Sequence, residues 1–275
     1  MKKILSLLLA TALFLVACGN KNETNGAAGS QNGTAKKTEK LIVGATPVPH
    51  AELLDLVKDD LKKEGIELEV VKFNDYVQPN KALADKSIDA NFFQHAPYME
   101  DFGKKNNIEL SAVGNIHLEP MALYSKKIKN VNDLKNGDTL IIPNDPTNGG
   151  RALILLDKAG IIKLKDNTKL DSTPADIAAN PKNIKIETLS NEQIAPRLSE
   201  VAGAIINSNF AIDAGVTKNE IILIEGKDSP YVNIVTVLKG NENDERVKKL
   251  VKALQSEKVK KYIEEKYEGR VIPAF

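Results

Sequence analysis

Apolar and polar residues alternate along residues 41–275 in short blocks whose period switches repeatedly between that of a strand and that of a helix. Leu41 to Ala45 reads as a strand. His50 to Glu64 reads as a helix with Leu53, Leu54, Val57 and Leu61 on one face, stopped by Gly65. Ile66 to Phe73 alternates apolar and acidic positions, as a half-buried strand does. Pro79 to Lys86 predicts a short helix and Ile88 to Phe92 a strand. Pro97 suits the first turn of a following helix that Gly103 ends. Repeated β–α units of this kind predict a mostly parallel sheet with helices on both faces.

Glu109 to Tyr124 breaks the rhythm with one long extended stretch, after which the alternation restarts. The restart comprises a helix near Val131 to Leu134, strands at 140–142, 184–189, 204–206 and 221–224, a helix opened by Arg151 and another over Ile194 to Val201. Tyr231 to Leu238 is a second extended stretch. A final helix over Asp244 to Tyr267 carries Val247, Leu250, Val251, Leu254 and Ile263 at helical spacing. Two α/β patterns joined by two extended stretches predict an α/β fold of two lobes with a double crossover and a cleft between them. Residues 41–120 with 236–275 form the first lobe in this reading, and 121–235 the second. In open α/β sheets ligands collect outside the carboxyl ends of strands, so polar clusters there are candidates.

Ahead of the body, Met1-Lys2-Lys3 is a basic start, followed by an apolar run from Ile4 to Ala17 that is too short for a membrane span. It ends Leu15-Val16-Ala17-Cys18, which resembles the lipobox of bacterial lipoproteins. Residues 1–17 are then a signal peptide, and Cys18 is the lipidation site, carrying acyl chains such as palmitate. Cys18 is the single cysteine, so no internal disulfide can form. Residues 18–40 are the lipidated N-terminus and a tether. Gly19 to Lys40 lacks Leu, Ile, Val, Phe and Tyr and cannot bury enough apolar surface to fold. A flexible link of that length reaches roughly 25 Å. Two acyl chains suffice to anchor it. The formal charge of +1 becomes −1 once Lys2 and Lys3 leave, which provides no basic footprint for nucleic acid.

Chemistry concentrates in a few clusters. Leu140-Ile141-Ile142 ends at Pro143, the turn formers Asn144, Asp145, Pro146 and Thr147 follow, and Gly149-Gly150 lets backbone approach a ligand before Arg151 begins the helix. A strand, a polar turn and a helix N-terminus make a place for an anion, with Arg151 at its mouth to grip a carboxylate. The alternative is an arginine facing solvent. Further clusters are Tyr76 to Asn80, Phe93 to Tyr98, Asn207-Ser208-Asn209 and Tyr231-Val232-Asn233.

Several of these segments carry a family resemblance. Asp89-Ala90-Asn91-Phe92-Phe93-Gln94-His95, Ile116-His117-Leu118-Glu119-Pro120-Met121, Pro143 to Leu153, Asn207-Ser208-Asn209 and the ending Val271-Ile272-Pro273-Ala274-Phe275 resemble the NlpA-type methionine-binding lipoproteins. The resemblance implies a periplasmic-binding-protein-like fold, with the ligand in the interlobe cleft and no cofactor. It implies an extracytoplasmic solute-binding lipoprotein on the cell membrane that delivers L-methionine to the permease and ATPase subunits of an ABC importer. It also implies roles. Arg151 binds the ligand carboxylate, Asn209 and Asn233 hold the amino-acid head, and Asn148 adds a polar contact. Phe93, His95, Tyr98 and Tyr76 wall the side-chain pocket. The physics agrees, because a zwitterion needs a cation and acceptors, and a thioether favours aromatic edges.

Other classes fit less well. An enzyme would need a nucleophile or acid/base set. The one cysteine belongs to the lipobox, neither Gly-x-Ser-x-Gly nor His-Glu-x-x-His occurs, and Ser208 is the nearest candidate. A metal binder would use His50, His95 and His117, which few carboxylates flank, so no metal is expected. A surface adhesin is a further alternative. Within the favoured class, a methionine-containing dipeptide would use the same anchors.

Overall fold

The structure, a computed structural model, describes residues 38–275. The expected signal peptide, Cys18 and nearly all of the tether lie outside the described residues. The tether expectation runs slightly too far, because Glu39 and Lys40 already belong to the first strand.

Two sheets organise the body. The first, read from edge to edge, holds Ile272–Pro273, Leu110–Leu118, Val232–Leu238, Ala90–His95, Glu39–Ala45 and Ile66–Lys72. The second holds Ile221–Ile224, Ala122–Tyr124, Gly203–Ile206, Thr139–Pro143 and Lys185–Leu189. The chain leaves the first sheet once, through Glu119-Pro120-Met121, and returns once, through residues 225–231. The double crossover between two α/β sheets is therefore present. The expected boundary between residues 235 and 236 falls inside Val232–Leu238, all of which pairs in the first sheet.

Strand direction departs from the mostly parallel expectation. Glu39–Ala45 is parallel to both neighbours, with Leu41 opposite Leu68 and Val43 opposite Ala90. Val232–Leu238 arrives from the other sheet and enters antiparallel between Ala90–His95 and Leu110–Leu118. In the second sheet Ala122–Tyr124 is likewise antiparallel to Gly203–Ile206. A crossing strand can enter in either direction, and its hydrophobic period is the same both ways.

The first core joins Leu53, Leu54, Val57 and Leu61 of helix Glu52–Lys63 to Leu41, Val43 and Phe92 of the sheet and to Leu250, Leu254 and Ile263 of the last helices. Each such side chain contributes about 1.5–3 kcal/mol on burial. The final helix is two, Glu245–Leu254 and Glu257–Tyr267, because Ser256 caps the second by accepting from the Val259 N–H. Gly103 lies inside helix Ala96–Asn106, which ends in left-handed Asn107 instead. The glycine is there for space: a Cβ would lie 2.7 Å from the Ile108 carbonyl oxygen. The expected helix over Ile194 to Val201 is a short turn, Asn191–Ile194, continued by a tighter turn, Ala195–Arg197.

A separate apolar cluster bridges the sheets. It joins Tyr76, Phe93, Tyr98 and Phe102 from the first half to Ile141, Ile206, Phe210 and Ala211 from the second. The candidate site lies beside it.

Candidate functional site

Seven of the eight predicted ligand residues line one enclosed cavity: Tyr76, Phe93, His95, Tyr98, Asn148, Arg151 and Asn233. Gln94, Glu119 and Asn207 complete its wall. The free space is about 10 Å³, roughly room for one water, so an amino acid enters only when the walls part. Asn209 is not on this wall. Its side-chain oxygen accepts from the Tyr76 hydroxyl at 2.6 Å, and its backbone N–H donates to Glu119 at 3.0 Å.

Phe93 and His95 end strand Ala90–His95, where both faces are buried. His95 also caps the helix that follows, its Nδ1 accepting from the Tyr98 N–H at 3.2 Å. That backbone donor leaves the proton on Nε2, which lies 3.2 Å from Asn148 Oδ1. Burial holds the imidazole down at about 3, and the neighbouring Arg151 charge acts in the same direction. His95 is therefore a neutral donor at neutral pH. The aromatic wall is knit together: Tyr76 lies 5.9 Å from Phe93 and 5.8 Å from Tyr98, and the Tyr98 hydroxyl donates to the Tyr76 carbonyl at 2.9 Å.

Arg151 differs from its expected setting in two respects. Helix Pro146–Lys158 begins five residues before it, with Asp145 as N-cap, so Arg151 is in the second turn and not at the mouth. The helix end is already occupied by a carboxylate of the chain itself. Gly149 and Gly150 are helical too, and they serve backbone packing: a Cβ on Gly150 would lie 2.1 Å from the Leu170 carbonyl oxygen. The guanidinium is nonetheless buried and faces the cavity. Its Nε and Nη2 donate to the two oxygens of Glu225 at 3.1 and 2.5 Å, and Nη2 also donates to the Glu119 carbonyl at 2.8 Å. The Tyr231 ring stacks on it at 4.3 Å. Among the described residues, Nη1 has no partner. Arg151 thus touches both crossovers, and it lines both this cavity and the groove beside Leu170 and Tyr231.

Glu119 escaped the sequence reading. A carboxylate in the apolar run Ile116 to Met121 was the available signal, since burying one without partners is costly. Its Oε1 lies 2.8 Å from His117 Nε2 and 3.4 Å from His50 Nε2. Burial raises its carboxyl group, while the His50 and Arg151 charges and the Asn209 N–H oppose that rise. His50 contacts Asn233 Oδ1 through Nε2 at 3.1 Å, tying Asn233 into the same group. Of the three histidines, His50 and His117 converge on Glu119 in a set that could hold a cation, whereas His95 bonds elsewhere. The set suits hydrogen bonding better. A metal on His117 Nε2 would put a proton on Nδ1, which is buried and has no partner among the described residues.

Known proteins resemble this chain along most of its length. The NlpA lipoprotein family matches residues 41–275. The chain belongs to that family. It is 41% identical over 267 residues to the probable D-methionine-binding lipoprotein MetQ of Pasteurella multocida, covering 96% of each chain. It is 40% identical to the methionine-binding lipoprotein MetQ of Bacillus subtilis, covering 99% of each. A nutrient-binding protein from Burkholderia cenocepacia, solved bound to methionine, is 40% identical with a TM-score of 0.83, and the match covers 86% of this chain and all of that one. Within the NlpA lipoprotein family, then, the chain has relatives of nearly equal length and the same fold.

Proposed function

We propose that this protein is an extracytoplasmic solute-binding lipoprotein that captures methionine and hands it to the permease and ATPase subunits of an ABC importer. One observation carries the reading: a single cavity presents a guanidinium edge, a buried carboxylate and an aromatic wall to the same small space. Arg151 Nη1 takes the ligand carboxylate. Glu119, with the side-chain oxygens of Asn207 and Asn233, takes the ammonium. Phe93, Tyr76 and Tyr98 enclose the thioether, whose contacts with aromatic rings contribute about 0.3–1.5 kcal/mol each. The proposed role is binding and delivery, the role of a substrate-binding component.

The proposed lobes follow the sheets, with residues 119–121 and 225–231 as the hinge. Closure brings Tyr76, Phe93, His95 and Tyr98 from one lobe against Asn148, Arg151 and Asn207 from the other. No helix among the described residues is long and apolar enough to cross a membrane. Attachment is assigned to an acylated Cys18, facing away from the cytoplasm.

Calorimetry with methionine, norleucine and alanine tests the reading. Norleucine should bind nearly as well as methionine. Alanine keeps the zwitterion but loses several methylenes, each contributing about 1–3 kcal/mol, and should bind far more weakly. Phe93→Ala should narrow that gap. Alanine binding within a few-fold of methionine would sink the proposal. A methionine-containing dipeptide is the second reading, favoured by a groove of about 580 Å³ on the far side of Arg151, between that residue, Leu170 and Tyr231. Titrating methionyl dipeptides in the same experiment separates the two.

A further inference from the structure

We propose that Asp145 is a positioning residue: it sets the direction of the hydrogen bonds that leave the Asn207 side-chain oxygen free as an acceptor inside the cavity. Two groups here have unambiguous roles. Asp145 is a carboxylate and can only accept, and the Tyr98 backbone N–H can only donate. Asp145 accepts from the backbone N–H of Asn148 at 2.9 Å, and both of its oxygens lie 3.0 Å from Asn148 Nδ2. The Asn148 amide is therefore oriented with its nitrogen toward Asp145 and its oxygen toward the cavity. That oxygen accepts from His95 Nε2 at 3.2 Å and from Asn207 Nδ2 at 2.9 Å. The other end agrees, because the Tyr98 N–H on His95 Nδ1 independently requires a proton on Nε2.

Asn207 is the end of this chain of bonds. Its nitrogen is committed to Asn148, so its oxygen points the other way, buried and, among the described residues, without a partner. A buried amide oxygen left unpaired is unfavourable, and a ligand N–H would relieve that. If Asn148 turned over, it would present a donor to two donors, His95 and Asn207. Asp145 prevents this from a position on the helix cap outside the cavity wall. Asn191 Nδ2 donates to the same carboxylate at 2.7 Å and Thr147 Oγ1 at 3.1 Å, which fixes Asp145 in turn. The ligand chemistry recognised is a primary ammonium. In this respect the inference rests on the proposed capture of methionine, although the bond directions do not.

The experiment uses the mature protein and two readouts. Nitrogen NMR of the ligand-free protein should show His95 with its proton on Nε2; with three histidines in the chain, single substitutions assign the signals. Asp145→Ser keeps a good N-cap oxygen for the Asn148 N–H but removes the acceptor of the Asn148 amide. It should lower methionine affinity roughly tenfold. It should also lower, by a similar factor, the preference for methionine over its amino-free analogue, because the ammonium is the ligand group deprived of its acceptor. A His95 proton on Nδ1 in the wild type overturns the proposal. So does an Asp145→Ser variant that weakens both ligands equally or neither. Should Asp145→Ser not fold, Asn207→Leu reads the same preference at the far end of the relay, and an unchanged preference there is equally fatal. A wild type that binds no methionine would fail the functional reading, while the imidazole tautomer would still decide the relay.

Discussion

Arg151 shows how far a single residue can be read. Local residues left a solvent-facing arginine equally open, and its grouping with the other candidates followed from the family resemblance; the structure buries it beside them, in the second turn of the helix and not at its mouth. Its partner was not legible. Glu225 is 74 positions away, and nothing local ties it to the helix. The consequence for the proposed binding mode is geometric: the Nε/Nη2 fork holds Glu225, which leaves the Nη1 edge for the ligand carboxylate. Arg151→Ala removes the ligand's cation and also the clasp between the crossovers. Truncating one side of a buried charge pair costs roughly 2–5 kcal/mol, so methionine affinity should fall about thirtyfold or more in calorimetry. Lysine carries the charge without the fork, and Arg151→Lys should recover only part of the affinity. Wild-type affinity in Arg151→Ala would mean that the carboxylate binds elsewhere. The two asparagines of the Asn207-Ser208-Asn209 motif show the opposite limit. Sequence could place the pair at a strand end, but which of them faces the cavity depends on helix Ser208–Asp213, whose N-cap is Asn207.

At the scale of elements, the strands and the long amphipathic helices were readable from period alone, and their ends were not. Helix Pro146–Lys158 starts early because Asp145 caps it, although Asn-Asp-Pro-Thr-Asn-Gly-Gly looks like a loop. Glycine normally costs a helix about 1 kcal/mol relative to alanine, so two in succession suggest a turn. They are tolerated here because other backbone occupies the space of their missing side chains. Gly150→Ala sets the two effects against each other. The helix would gain about 1 kcal/mol of propensity. The new methyl, however, would lie 2.1 Å from the Leu170 oxygen and 2.9 Å from the Ser172 nitrogen, neither of which is a flexible side-chain end. Overpacking of that kind costs about 1–3 kcal/mol and should win. Urea denaturation should show net destabilisation of Gly150→Ala. A variant as stable as wild type would mean that residues 170–172 move aside freely.

For the whole molecule, two restarting α/β patterns were enough to foresee two sheets and a double crossover. Strand direction was not, because an alternating pattern reads the same both ways. Nor was it evident that all three histidines would be deeply buried around one site. Burial holds His50 down at about 4, and His95 and His117 at about 3. An unfolded histidine titrates near 6.5, so between that value and the folded one the unfolded chain binds more protons. Stability from these groups is therefore complete above about pH 6.5 and is lost as pH falls toward their folded values, by up to about 1.4 kcal/mol per pH unit for each histidine. Glu119 acts in the opposite sense. Its raised value means the folded chain binds the extra proton, so its contribution falls as pH rises through the window above its ordinary value. Three groups oppose one, and the carboxyls lowered by partners, such as Asp244 and Glu220, add their losses only at more acid pH. Ligand-free protein should consequently show a urea midpoint that drops steadily between about pH 6.5 and pH 5. His117→Phe removes one imidazole together with its contact to Glu119, and the ring already packs edge-on against Phe92 at 5.3 Å, a surface that suits an apolar ring. It should shrink the slope by about a third to a half, since three alike histidines are opposed by at most one carboxyl. A midpoint flat across that range, or a slope that His117→Phe leaves intact, would show that these imidazoles are hydrated enough to titrate normally.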